Sequence, residues 1–334
     1  MRSPGEAPFD WIALVYVPTL KPVDSTDQGR RQLLKAALGG VAGVALAPVR
    51  SLAGFSAQTT AQDASVQRLG DDLFVLRIPG EASVVAHVAA DGVVLVDGAS
   101  AAGSDALMKA VDRVSGGRAV QTIFNTHWHP EQTGSNDLLG KSSKTIIAHE
   151  NTRLWLATDV TWPWNGKHFK RLPKVAQPNK TFYTTGQLPS GIRYGYIPDA
   201  AHTDGDLYVH FQKQNVLAVG DAVCADGWPV VDYATGGWIG GIVGALQRLQ
   251  TLVDADTRIV PARGPVIGVA ELKAQLQMYA TINDRLTQLL NKGRGPSEAV
   301  AAKPTKEFDA QMGNPDEFVR RAFESLWGYL SPDA

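Results

Sequence analysis

Apolar and polar positions alternate in short runs along most of the chain, separated by turn residues. Residues 73–78, 83–88 and 93–96 cluster or alternate β-branched side chains, with Pro79-Gly80 and Asp91-Gly92 between them, and predict a strand meander. The period lengthens over residues 102–114, where Leu107, Val111 and Val114 recur at helical spacing before Gly116-Gly117 ends the run. A strand at 120–124, a strand at 144–148 and a helix at 150–157 follow. The stretch 161–180 has no period, contains Trp162, Trp164, His168 and Phe169, and is interrupted by prolines. It predicts either a lid over a substrate or a packed surface loop with its aromatics tucked beneath.

A second set of strands is predicted at 181–184, 192–197, 207–211 and 216–219, then a helix at 238–252 and a strand at 258–261. Residues 269–290 carry Leu272, Leu276, Tyr279, Ile282, Leu286 and Leu289 on one helical stripe. Asn314-Pro315-Asp316-Glu317 supplies a cap, a first-turn proline and acids at the positive end of a last helix running to residue 330. Two halves, each of strands followed by helices, predict a four-layer α+β sandwich of the αβ/βα kind.

Composition narrows the function classes. With 32 basic against 33 acidic residues, the chain has no broad attraction for nucleic acid or anionic lipid, and it carries no nucleic-acid-binding motif. Cys224 is the single cysteine of 334 residues, which excludes an intrachain disulfide and a cysteine-rich zinc site. That usage suits the cytoplasm or a periplasmic protein that needs no staples. The first sixty residues do not read as fold. Arg30-Arg31 precedes a small-residue apolar run, 36–47, and the cleavage candidates Ser51-Leu52-Ala53 and Phe55-Ser56-Ala57, a pattern resembling a twin-arginine export signal. The run is too short to span a bilayer, so no stable membrane insertion is expected. The competing reading is a cytoplasmic or amphipathic N-terminal helix, because residues 1–28 are long for the leading part of a signal. The expected organisation is a signal and linker over 1–60 and a folded domain over 61–334, in a periplasmic or secreted protein.

The chemistry concentrates at Thr126-His127-Trp128-His129-Pro130-Glu131-Gln132-Thr133-Gly134, directly after the strand at 120–124. In extended chain, positions i, i+2 and i+4 share a side, so His127, His129 and Glu131 can converge on a metal. Imidazole suits zinc and iron, and a carboxylate beside it can ligate or act as a general base. The bland alternative is a surface turn with two incidental histidines. Four further strand ends carry chemistry: Val96-Asp97-Gly98, Ala201-His202-Thr203-Asp204-Gly205-Asp206, Val219-Gly220-Asp221-Ala222 and Pro261-Ala262-Arg263-Gly264-Pro265.

In this order and spacing, from about residue 65 to about 290, these motifs resemble the metallo-β-lactamase superfamily. The resemblance implies an αβ/βα sandwich with one or two metal ions where the strand-end loops meet. It implies that His127, His129 and His202 hold a first metal and that Asp221 is the carboxylate bridging two. It places Glu131 where the family usually has aspartate, and makes Asp97 a support of the site loops. Two further departures fall on the second metal: Gln132 and Arg263 stand where the family has histidines. An amide is a poor substitute for imidazole, and arginine cannot ligate because it is never deprotonated in proteins. One ion, zinc with iron as the alternative, is therefore expected rather than two.

The implied activity is hydrolysis of an ester, thioester, lactone or amide/lactam, in which a metal acidifies its water to supply hydroxide and polarises the carbonyl. Glu131 and Asp221 would handle the proton, and Arg263 would hold the acids and stabilise an oxyanion or merely satisfy them. The competing classes are a mononuclear iron oxidoreductase using His127, His202 and Asp221, and a non-catalytic binding protein. Trp128, Trp162, Trp164, Tyr233 and Trp238 are candidates for an apolar substrate wall or for core. His149 could approach the site, Cys224 reads as core, and Gly236-Gly237 with Gly240-Gly241 lack the lysine of a phosphate cradle.

Overall fold

A computed structural model describes residues 64–142 and 145–330. The export-signal reading of the N-terminal segment lies outside them. Strands β1 (Ser65–Arg68), β2 (Leu73–Arg77), β3 (Val84–Ala89) and β4 (Gly92–Val96) form an antiparallel meander. Helix α1 (Ser104–Ser115) then crosses to β5 (Val120–Phe124), which pairs parallel with β4. Helices α2 (Pro130–Thr133) and α3 (Asn136–Ser142) lead to β6 (Thr145–His149), and α4 (Glu150–Leu156) follows. A two-stranded ribbon of β7 (Val160–Thr161) and β8 (His168–Phe169) precedes β9 (Lys180–Phe182), which completes a seven-stranded sheet.

The second sheet has five strands in sequential order: β10 (Thr185–Gln187), β11 (Arg193–Tyr196), β12 (Leu207–Phe211), β13 (Val216–Cys224) and β14 (Arg258–Arg263). Helix α5 (Ile239–Gln250) joins β13 to β14, and α6 (Val269–Asn291), α7 (Pro296–Ala301), α8 (Asp309–Met312) and α9 (Asp316–Leu330) follow. None of the described helices is long and apolar enough to cross a membrane.

Side-chain alternation makes the layers. On β2, Leu73 and Val75 enter the core between the sheets with Phe124, Val209, Phe211 and Val216, while Phe74 and Leu76 face α1 through Leu107 and Val111. On β13, Val216 and Ala218 face the same inter-sheet core, whereas Leu217 and Val219 face α5, α6 and α9. Every residue of β13 is buried, because the strand is covered on both faces. The result is the expected αβ/βα sandwich, with the C-terminal ends of β5 and β13 and the loop before β12 close together at one edge.

Three local expectations change. Strand β13 does not stop at 219 but continues to Cys224 through irregular pairing with β14 around Gly220, which carries Asp221 within the sheet edge. The stretch 161–180 is not structureless: the β7–β8 ribbon sits over a cluster of Trp128, Leu156, Val160 and Trp162, with Trp164 and Phe169 packed against it. Its aromatics are therefore tucked under, as in the packed-loop alternative. Helices α7 and α8 gave no periodic signal at six and four residues.

Candidate active site

Four buried side chains converge at that edge. One ligand atom from each of His127, His129, His202 and Asp221 lies within 4.8 Å of every other. The three imidazole rings stand nearly perpendicular in pairs, at 79°, 86° and 84°, with centroids 4.7 Å apart in each pair. They point inward from three corners, a disposition suited to tetrahedral coordination.

Local structure explains how each arrives. His127 and His129 leave the end of β5 in extended chain, and His129 caps α2 with φ −60° and ψ 148°. Pro130 then starts the helix, so the two-residue alternation ends there. Glu131 consequently turns away: it lies outside the four-residue cluster and lines a neighbouring cleft with Arg77, Glu81, Asp226 and Arg263. The extended-chain convergence expected of His127, His129 and Glu131 holds for the histidines alone. His202 sits in a turn tied by Asp206, whose carboxylate accepts the His202 and Thr203 amides at 2.6 and 2.9 Å and the Thr203 hydroxyl at 2.8 Å. Asp221 follows Gly220, which is at φ 56° and whose Cβ would overlap the Thr126 side chain, so both backbone and space demand glycine.

Outer hydrogen bonds fix which nitrogen of each ring faces inward. The Val230 carbonyl can only accept, so His202 Nδ1 donates to it at 2.5 Å and Nε2 carries the lone pair. Asp232 Oδ2 lies 2.9 Å from His129 Nε2 and also receives the Thr235 hydroxyl at 2.7 Å and the Trp162 indole at 3.2 Å. Burial pushes the Asp232 carboxyl upward, but the hydrogen bonds from His129 and Thr235 hold it below its ordinary value. As an ionised acceptor it makes His129 Nε2 the donor, leaving a lone pair on Nδ1. The inward atoms, His202 Nε2 and His129 Nδ1, are 3.1 Å apart. Two lone pairs at that distance repel unless a positive charge lies between them. Burial and then the His129 neighbour lower the pKa of His202 against the pull of nearby aspartates, so its Nε2 remains an acceptor.

The other two donors point the same way. His127 Nδ1 lies 3.1 Å from the Thr126 hydroxyl, and its Nε2 is buried with no hydrogen-bond partner, 3.5 Å from Asp221 Oδ2. Burial above all, then His202, His129 and Arg263, keeps His127 well below its ordinary pKa and therefore neutral. A set of three imidazoles and one carboxylate fits a single divalent cation. These four residues would hold it.

Asp97 has the supporting role expected of it. It accepts the Thr126 amide at 2.8 Å and the Thr126 hydroxyl at 2.9 and 3.0 Å, fixing the loop before His127. Burial pushes its carboxyl up to about 8, with the Thr126 bonds opposing and Asp221 and Asp206 adding repulsion. Gln132 and Arg263 both engage Asp221. The Gln132 amide nitrogen donates to Oδ2 at 3.1 Å, and Arg263 Nε lies 3.6 Å from Oδ1. A donor and a fixed positive charge thus occupy the flank of Asp221.

Other candidates fall elsewhere. None of Trp128, Trp162, Trp164, Tyr233 and Trp238 lines the cleft beside Arg263. Trp128 and Trp162 are buried behind the histidines, where the Trp128 indole donates to Thr235 at 3.0 Å. Trp238 stacks on Tyr329 at 4.4 Å. His149 stacks on Tyr196 at 4.0 Å and is not among the clustered ligands. Cys224 is buried, and burial pushes its thiol up to about 11, as befits a core residue.

Asp232 went unrecognised in the sequence. Asp-x-x-Thr ahead of Gly236-Gly237 was its only local mark, since the hydroxyl of Thr235 folds back onto the carboxylate. Replacing Asp232 by asparagine keeps the volume but removes the charge that fixes the His129 tautomer. Metal affinity is expected to fall roughly 10- to 100-fold, measured by chelator competition, with the thermal transition little changed. Unaltered affinity would remove Asp232 from the site.

The sequence profile described as the metallo-beta-lactamase superfamily matches residues 77–269, a span that includes all four clustered residues. A probable metallo-hydrolase of Streptococcus pyogenes serotype M6 is 25% identical over 148 residues, covering 43% of this chain and 63% of that protein. The match thus spans less than two thirds of the curated relative. Among solved structures, the DIM-1 metallo-β-lactamase superposes with a TM-score of 0.52 at 18% identity, covering 66% of this chain and 98% of that one. A metallo-β-lactamase from Pontibacter korlensis gives 0.52 at 19% identity, covering 65% and 99%. These likenesses show the fold, and the profile spans more than half of the chain with the ligand set inside it. The chain belongs to the metallo-β-lactamase superfamily.

Proposed function

We propose that the protein is a mononuclear zinc hydrolase acting on an ester, thioester, lactone or amide/lactam. The observation that carries this reading is the pair of inward lone pairs, His202 Nε2 and His129 Nδ1, held 3.1 Å apart by outward hydrogen bonds beside the unpartnered His127 Nε2. When bound, zinc supplies Lewis acidity and an acidified water. The chain's own groups supply the rest. Asp221 Oδ1 is buried without a hydrogen-bond partner, so it is free to take a proton released beside it. Arg263, with its side chain 47% exposed, brings positive charge from that oxygen to the cleft wall, where an oxyanion would develop. Glu131 on the same wall is placed to exchange protons with the cleft. The flank of Asp221 taken by Gln132 and Arg263 favours one ion over two. The paired arginines ahead of residues 36–47 support export in folded form.

Elemental analysis of the purified protein, beside turnover of a panel of esters, thioesters, lactones and lactams, tests the proposal. One zinc per chain with turnover of at least one of these classes is expected. Two tightly held ions would overturn the mononuclear reading, and iron with oxygen consumption would replace hydrolysis by oxidation.

A further inference from the structure

Beyond residue 269, where the family match ends, the chain adds α7, α8 and α9 to the helical layer. Between α6, α8 and the ends of β13 and β14 lies a cavity of about 340 Å³. Its walls are Ile267, Met278, Phe308 and Met312, with Cys224, Ala225 and Pro265 at the sheet edge. Met278 and Met312 are buried at its floor, while Pro265, Glu271, Ala274 and Gln311 are exposed at its mouth, so it is an open, largely apolar hollow. Methionine, with three rotatable bonds and a polarisable sulfur, suits a wall that must adapt to a flexible apolar occupant. The volume is at the small end for ligand sites.

The cavity shares its rim with the cleft that Arg263 and Glu131 line beside the metal site. Ala225 and Pro265 line the cavity, and the next residues on the same two loops, Asp226 and Gly264, line the cleft with Arg263 and Glu131. Those loops touch: Gly264 is at φ 90°, a Cβ there would overlap the Ala225 backbone, and Ala225 donates its amide to the Arg263 carbonyl at 3.1 Å. A rim of small residues on two hydrogen-bonded loops therefore separates the polar cleft beside Arg263 from a largely apolar hollow. A ligand matching both is amphiphilic, with its reactive group at the polar end.

We infer that this cavity receives the apolar tail of the substrate, an unbranched acyl or alkyl chain of medium length whose ester-type carbonyl lies in the cleft. The inference rests on the hydrolase reading above, and it adds a substrate class. Ala274 lines the same cavity from the exposed side of α6, so a larger side chain can be introduced there without disturbing the core.

The test uses the zinc-loaded full chain, 4-nitrophenyl esters of acetate, butyrate and octanoate, and the variant Ala274→Trp. Each buried methylene is worth about a fourfold gain in affinity. The octanoate ester should therefore exceed the acetate ester in kcat/KM by at least roughly tenfold. Ala274→Trp should remove most of that advantage while leaving acetate turnover and the thermal transition nearly unchanged. Equal turnover of all three esters, or a chain-length advantage that Ala274→Trp leaves intact, overturns the inference while the hydrolase reading stands. If no ester is turned over, calorimetric titration with octanoate decides. Binding lost in Ala274→Trp supports the cavity apart from the reaction, and absence of binding overturns it. Gln311→Trp, which fills the cavity from the opposite wall, repeats the test should Ala274→Trp fail to fold.

Discussion

His202→Ala is expected to lose metal and activity together, with kcat/KM for any substrate of the wild-type protein falling by at least about 10³-fold. The ring contributes the lone pair facing His129 Nδ1 at 3.1 Å, and its removal takes one of the four clustered donors away from the cation and opens the site to extra water. The backbone of the turn should survive. Asp206 ties it through the His202 and Thr203 amides and the Thr203 hydroxyl, none of which belongs to the deleted ring. What is lost locally is the bond to the Val230 carbonyl, a solvable defect once water enters the space. Elemental analysis, turnover and the thermal transition should be read on the same preparation. A variant that keeps one tightly held ion and wild-type turnover would exclude His202 as a ligand, and an unfolded variant would be replaced by His202→Gln, which keeps more of the volume.

How far such a site can be read from sequence depends on how local its parts are. The layers were legible because β2 sends Leu73 and Val75 one way and Phe74 and Leu76 the other, a period of two that survives in the letters. His127 and His129 were legible as a pair because they lie two apart in extended chain. His202 and Asp221 have no local signature of ligation, and only the order of motifs that the superfamily resemblance supplied joined them to that pair. Glu131 shows the limit of spacing arguments: Pro130 changes the backbone from extended to helical between His129 and Glu131, and the shared face is lost. Asp232 lies 103 positions from its partner His129, and nothing in the sequence near either announces the contact. The aromatic residues stayed open between wall and core for a related reason. Trp128 and Trp162 pack on the outer side of the histidines, and composition cannot tell the back wall of a site from its mouth.

Arg263→Gln should lower kcat by about 10²-fold with the metal content unchanged at one ion per chain. The argument turns on charge. Asp221 presents Oδ2 to His127 at 3.5 Å and to the Gln132 amide at 3.1 Å, while Oδ1 has Arg263 Nε at 3.6 Å and no hydrogen bond. The guanidinium is thus the one full positive charge against that oxygen among the described residues, on the flank where the superfamily resemblance places a second ion. A fixed cation at this place cannot exchange, needs no ligands of its own and stays half-exposed to the cleft, so it can meet charge that develops on a substrate oxygen. Glutamine retains length and polarity but not charge, which makes kcat rather than KM the expected casualty. Were Arg263 there only to neutralise Asp221, the variant would lose stability or metal affinity with kcat intact. The converse substitution sharpens the point: Gln132→His together with Arg263→His returns imidazoles to both altered positions and removes the competing charge. Metal content should then rise from one ion toward two, and a double variant still limited to one would show that the backbone at β14, and not the side chains, closes the second position.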